Sequence, residues 1–92
     1  MIEVKQLSDS EPMVFQAMVS DEGGETQHRV TMSQADFQRL SSGTASAEVI
    51  VEAAFVFLLE REPKEAILSQ FDITVISRYF PDFDQAISRY LP

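Results

Sequence analysis

One segment constrains the fold more than any other. Between residues 46 and 62 the chain carries Val49, Ile50, Val51, Ala53, Ala54, Val56, Phe57 and Leu58. Placed on a helix at about 100° per residue, they cover nearly every side of it. Glu48, Glu52 and Glu62 fall on one narrow stripe, and Phe55 and Leu59 fall on that same stripe. A helix apolar on so many sides must be covered by other elements, so 46–62 is expected to be a long central helix. Thr44 or Ser46 can cap its start. Glu62-Pro63 ends it, because proline disfavours helical geometry in the residue before it. Phe55 and Leu59, apolar on the acidic stripe, are surplus to a one-sided core and are candidates for an interface.

The residues before this helix change period. In 13–19, Met13, Phe15, Ala17 and Val19 alternate with residues of the other face, the pattern of a half-buried strand. Asp21-Glu22-Gly23-Gly24 supplies a hairpin turn. The return strand, 26–32, places His28, Val30 and Met32 on one face and Gln27, Arg29 and Thr31 on the other. Residues 2–7 alternate as well, so the unit reads as an antiparallel hairpin or a three-stranded meander. Ser33-Gln34-Ala35-Asp36 resembles a capping box with aspartate in its last position. A short helix is expected there, with Phe37, Leu40 and Ala35 inward, ending at Ser41-Ser42-Gly43-Thr44.

The C-terminal third repeats itself. Residues 71–81 read Phe-Asp-Ile-Thr-Val-Ile-Ser-Arg-Tyr-Phe-Pro, and 83–92 read Phe-Asp-Gln-Ala-Ile-Ser-Arg-Tyr-Leu-Pro. Ile76, Tyr79 and Phe80 share one helical face, as do Ile87, Tyr90 and Leu91. Two packing helices follow, capped by Asp72 and Asp82 and stopped by proline, with a further short helix over 63–70 presenting Ala66, Ile67 and Phe71. Arg78 and Arg89, each beside a tyrosine, form candidate twin anchors for an acidic group. The nearby Asp82 and Asp84 are positioned in sequence to neutralise them. The fold class is therefore α+β: a hairpin or meander followed by four or five helices, in one domain over 1–92.

Composition narrows the chemistry. The charge is −8, with three basic and seven acidic residues in 1–45 and four and eight in 46–92. That evenly spread acidity opposes direct contact with nucleic-acid backbones and permits a basic protein partner. The chain has no cysteine, which rules out disulfides, thiolate metal sites and cysteine nucleophiles. Its start lacks a basic region followed by an apolar run, and the longest apolar stretch, 53–59, falls far short of the roughly 20 residues that span a bilayer. A cytoplasmic location without membrane contact is expected.

From Val30 onward the chain resembles a family of short, uncharacterised bacterial proteins. The likeness rests on Val30-Thr31-Met32, on the run from Phe55 to Leu68 that contains Glu62-Pro63-Lys64-Glu65, and on Ser77-Arg78-Tyr79-Phe80-Pro81. It covers about residues 30–81. It implies a small bacterial cytoplasmic domain and assigns no activity, cofactor or site.

No catalytic constellation emerges. The single histidine, His28, lies on the apolar face of a strand, where a packed residue is the ordinary outcome. Gly23-Gly24 is a turn and not a phosphate-binding loop. Glu60-x-Glu62 and Asp82-x-Asp84 lack the further ligands calcium requires. The expectation is a non-catalytic protein–protein interaction domain, self-associating or docking another protein through Phe55, Leu59, Arg78, Tyr79, Arg89 and Tyr90, with no cofactor and no metal. Two alternatives stand beside it. One is an acidic, antitoxin-like regulator of a basic protein. The other is a small-ligand binder with a pocket between hairpin and helices, using His28, Arg78 or Tyr79.

Overall fold

A computed structural model describes residues 1–41, 43 and 45–92. Ser42, at the expected end of the first helix, and Thr44, the alternative cap of the central one, lie outside the described residues. The alternating N-terminal third forms β1 (Ile2–Ser8), β2 (Met13–Asp21) and β3 (Gly24–Met32), an antiparallel meander. Residues 2–7 do belong to a third strand. The turn closes on Asp21 paired with Gly24. Asp21 accepts the Gly23 amide at 2.7 Å, and Gly24 has φ +116°, a conformation that only glycine adopts without strain. Met13, Phe15, Ala17, Val19, His28, Val30 and Met32 are all buried, as the alternation requires.

A fourth strand completes the sheet. β4 (Gln70–Asp72) runs parallel to β3, pairing Val30 with Phe71, and the order is β1-β2-β3-β4. This corrects the helix expected over 63–70, where only one 3-10 turn forms, at Lys64–Ala66. Asp72 is likewise no helix cap of the expected kind. Its carboxylate accepts the Thr31 hydroxyl at 2.6 Å and the Thr74 hydroxyl and amide at 2.7 and 3.1 Å, fastening the turn after β4 to β3. Burial alone would raise its pKa. The hydrogen bonds from Thr31 and Thr74, and more distantly the charge of Arg78, outweigh burial and hold it below the ordinary value.

Among the described residues, four α-helices follow the meander: α1 (Gln34–Ser41), α2 (Ala47–Leu59), α3 (Val75–Tyr79) and α4 (Phe83–Ala86). Ser33 caps α1 through the Asp36 amide at 3.0 Å, but the Asp36 carboxylate turns to Arg39, so only half of the capping box is present. Leu40 is buried and Phe37 half-buried, whereas Ala35 is exposed, not inward. Ser46 caps α2 through the Val49 amide at 3.3 Å. That helix ends at Leu59, three residues before the expected boundary. The Arg61 and Glu62 amides both fold back onto the Leu58 carbonyl as the chain turns toward Pro63.

The course of α2 explains the mixed character of its acidic stripe. Near its start, Glu48 reaches the backbone of β1 at Gln6. Two turns later Phe55 meets His28 of β3 at 5.2 Å and Phe71 of β4 at 6.1 Å between ring centroids. The stripe thus runs from the β1 margin of the sheet to the side where β3 and β4 pair. Phe55 is fully buried, so it offers no surface to a partner, and Leu59 is half-buried against the core. On another side of α2, the enclosed Phe57 meets Phe83 at 5.0 Å, Tyr90 at 5.8 Å and Phe80 at 5.9 Å, all edge-on. Both C-terminal blocks converge on this one ring.

The two blocks share a sequence and not a conformation. Ile76 to Tyr79 lies in α3, whereas Ile87–Tyr90 is a 3-10 helix following α4. In an α-helix a residue three positions on is displaced by about 60° around the axis, while in a 3-10 helix it eclipses the first. Tyr79 therefore departs from the buried side of Ile76 and is 68% exposed. Tyr90 stays over buried Ile87, packs on Phe57, and donates its hydroxyl to Glu60 at 2.6 Å. Asp82 occupies the N-cap position of α4 but makes no side-chain capping bond.

A candidate docking groove

Leu58 of α2, Glu62 in the turn after it, Ala66, Ile67 and Leu68 from the 3-10 turn and the approach to β4, Phe71 of β4, and Val75, Ile76, Tyr79 and Phe80 around α3 line a groove of about 380 Å³. Its surface is mainly apolar. Leu68 is 49% exposed and Tyr79 is 68% exposed. Glu62 and the Tyr79 hydroxyl are its charged and polar side-chain features.

The floor is fixed by polar contacts behind it. The Leu68 carbonyl can only accept, so the His28 Nδ1–H donates to it, at 2.7 Å. In that tautomer the His28 Nε2 accepts the Thr26 hydroxyl, at 2.8 Å. Both ring nitrogens are committed to structure and the ring is 2% exposed. The Arg29 amide donates to the Ser69 carbonyl at 2.8 Å, and the Ile73 amide to the Thr31 carbonyl at 2.9 Å. These bonds hold 68–73 against β3, with Leu68 outward and Ile67 and Phe71 buried.

The approach to the groove is clamped at a second place. Lys64, only 3% exposed, donates to Asp21 at the hairpin tip (2.7 Å) and to Glu65 (2.5 Å). The hydrogen bond to Asp21, then that to Glu65, hold the lysine pKa above its ordinary value. The hydrogen bond from Lys64 in turn holds both carboxyls below theirs. No sequence pattern distinguished this lysine. Its role comes from a turn 43 positions away.

Of the six interface candidates, the structure brings only Tyr79 to the groove. Phe55 is core, Leu59 packs against the core, and Tyr90 is held on Phe57. Arg78 and Arg89 are exposed, and among the described residues neither has a carboxylate within 4.0 Å. The acids expected to neutralise them serve other arginines. Asp84 pairs with Arg39 and accepts the Ser77 hydroxyl, and Asp82 lies 4.0 Å from Arg61. Arg61 itself stacks on Phe57, 3.6 Å from the ring centroid. Sequence reasoning missed Leu68 and Glu62. The available signal was the Ile67-Leu68 pair: neighbours in extended chain point to opposite sides, so both cannot be buried against one sheet.

Among the described residues, no buried side-chain polar atom lacks a hydrogen-bond partner, no three His, Cys, Asp or Glu side chains gather as metal ligands, and no helix is long and apolar enough to cross a membrane. Among the described residues, the geometry defines an α+β domain with a satisfied polar interior and an apolar groove open to solvent beside α3. The chain matches no protein-family model, no curated protein and no solved structure.

Proposed function

We propose that this chain is a non-catalytic, cytoplasmic protein–protein interaction domain of bacterial origin. It receives an apolar segment of another protein in the groove between Leu68 and Tyr79. The observation that carries this reading is the pairing of a 380 Å³ apolar groove with an aliphatic and an aromatic side chain left exposed at it. Tyrosine combines a large apolar ring with a polar tip, which makes it common among the residues that dominate interfaces. Glu62 at the groove and the charge of −8 favour an occupant that carries a lysine or arginine beside its apolar residues. That chemistry also suits the acidic, antitoxin-like reading, in which the partner is a basic protein. The same charge speaks against direct nucleic-acid binding.

The test compares immobilised wild type with the Leu68→Ser/Tyr79→Ser variant in pull-downs from the native host, followed by titration of whatever is recovered. A partner held by wild type and lost by the variant supports the reading. Identical recovery by both proteins sinks it. The groove volume also falls in the range of small-molecule pockets, about 300–1,000 Å³. A metabolite that raises the melting temperature of wild type and not of the variant would move the assignment from protein docking to ligand binding.

A further inference from the structure

β1 and β4 are the outer strands of the sheet among the described residues, and the parity of β1's hydrogen bonds decides what its free edge offers. Met1 and Ser20 exchange both backbone bonds, at 2.7 and 2.9 Å. Antiparallel pairs alternate between bonded and non-bonded. With Glu3 opposite Met18 and Lys5 opposite Gln16, residues 3 and 5 direct their backbone groups at β2, and Ile2, Val4 and Gln6 direct theirs outward. Consistent with this parity, the Gln6 amide donates to the Glu48 carboxylate of α2 at 2.9 Å. A register shift between Gln6 and Ser8 ends the regular edge. The side chains of Glu3 and Lys5 are exposed on the sheet face away from the core, opposite uncharged neighbours on β2. Neither joins an ion pair among the described residues.

We propose that β1 is a self-pairing edge: a second copy of this chain adds antiparallel to it about a two-fold axis at Val4, joining the two sheets into one. Backbone bonds across the junction form only where outward-directed residues meet each other. Among such registers, the one centred on Val4 sets Glu3 of each copy opposite Lys5 of the other, twice by symmetry. Moving the axis to Glu3 sets glutamate against glutamate, and moving it to Lys5 sets lysine against lysine. Opposite charges directly across a strand pair stabilise it and like charges destabilise it. The order of charges on the strand therefore selects one register. In that register Val4 exchanges both backbone bonds with its copy, and the Ile2 carbonyl takes the Gln6 amide of the other chain once Glu48 releases it. Glu48 is thus a competitor built into the fold. Glu52, one helical turn on, lines the same margin beside Ile2 and Val4 and adds negative charge there. Together they hold the association weak, as edge strands of stable monomers require. This surface is separate from the groove and stands without it.

Sedimentation equilibrium on the full chain reads the dissociation constant. Salt of about 150 mM shortens the screening length to about 8 Å and damps the general repulsion of two acidic chains. Lys5→Glu and Glu3→Lys each place like charges opposite twice and raise the dissociation constant about tenfold or more. One makes the chain more acidic and the other less, so a shared loss cannot come from net charge. The combined swap Glu3→Lys/Lys5→Glu restores wild-type association, and Glu48→Ala tightens it. The groove variant Leu68→Ser/Tyr79→Ser leaves it unchanged, which separates self-pairing from docking at the groove. Far-UV circular dichroism confirms that each variant is folded. The proposal is overturned if wild type and Glu48→Ala both stay monomeric at about millimolar concentration. It is equally overturned if a dimer forms that ignores the single reversals, is not rescued by the swap, or responds to the groove variant.

Discussion

Replacing Phe57 tests the organisation of the whole C-terminal half. Its ring is 0% exposed, meets Phe83, Tyr90 and Phe80 edge-on within 5.9 Å, and carries the Arg61 guanidinium at 3.6 Å. Truncating an enclosed phenylalanine to alanine costs about 3–5 kcal/mol in lost transfer energy and residual cavity. Edge-to-face contacts contribute about 0.5–1.5 kcal/mol each beyond area, so with three of them the upper part of that range is expected. At about 0.05–0.15 kcal/mol per residue the folded state of this chain has roughly 5–14 kcal/mol in all, so Phe57→Ala removes a large share of it. Phe57→Leu keeps most of the volume and loses the aromatic edges, for about 1–2 kcal/mol. Urea unfolding followed by far-UV circular dichroism gives both values, provided the slope of stability against urea is unchanged. Hydrogen exchange adds a local signature: amides of 83–90 should lose protection sooner than those of β2, because two of the three rings around Phe57 lie there. A loss below about 2 kcal/mol in Phe57→Ala, or equal losses in the two variants, would refute the view of this ring as the junction of both blocks.

The remaining expectations are briefer. Tyr79→Ala should change the urea midpoint little, within about 0.5 kcal/mol, while Tyr90→Ala costs about 2 kcal/mol or more, although the two tyrosines end identical tetrapeptides. Equal costs would contradict the placing of Tyr79 at the surface and of Tyr90 against the core. His28→Leu leaves the Leu68 carbonyl without its donor, for a loss of about 1–3 kcal/mol in the same assay. The Lys64 clamp gives a pH dependence. The carboxyls of Asp21 and Glu65, with ordinary values of 3.8 and 4.5, are lowered in the fold, so their contribution is present above those values and disappears as pH falls through the lower folded ones. The raised Lys64 contributes fully below its ordinary 10.5 and is lost as pH rises through its higher folded value. Melting temperatures across pH should show an acid limb that flattens in Lys64→Met, and an unchanged limb would count against the clamp. Amides of β4 should exchange with solvent before those paired between β2 and β3. Uniform protection across the sheet would refute a separately opening β4.

What the sequence discloses here is what depends on near neighbours. The alternation from Met13 to Val19, the glycine at position 24 and the Ser46 cap each follow from steric or hydrogen-bonding needs met within a few residues. β4 escapes because three residues, Gln70-Phe71-Asp72, are too few to show a period, and their partners lie about 40 positions earlier. Phe55 misleads because a helical wheel assumes one water boundary along the whole helix, whereas α2 passes from the edge of the sheet inward. The twin Ile-Ser-Arg-Tyr blocks mislead for a related reason. One block winds as α and the other as 3-10, which leaves one tyrosine exposed at the groove and the other half-buried against the core. The groove itself is assembled from segments of both kinds, and of its lining residues the sequence singles out only Tyr79 as an interface candidate.

The parallel pairing of β4 with β3 also has a temporal side. The β2–β3 hairpin closes through a two-residue turn, while Thr31 and Asp72 are 41 positions apart. Closing a loop of that length costs roughly 3 kcal/mol of chain entropy, and three paired residues alone return little of it. The return comes also from the bonds of His28, Arg29 and Thr31 to 68–73 and from Phe71 landing on Phe55, the last of which requires α2 to be already seated on the sheet. β4 is expected to be the last of the meander, α2 and β4 to close and the first to open, and the opening is read out by the exchange of its amides. The floor of the groove comes into being with that last closure. A molecule lodged there would hold the closure shut, so its concentration would set how often this part of the chain opens.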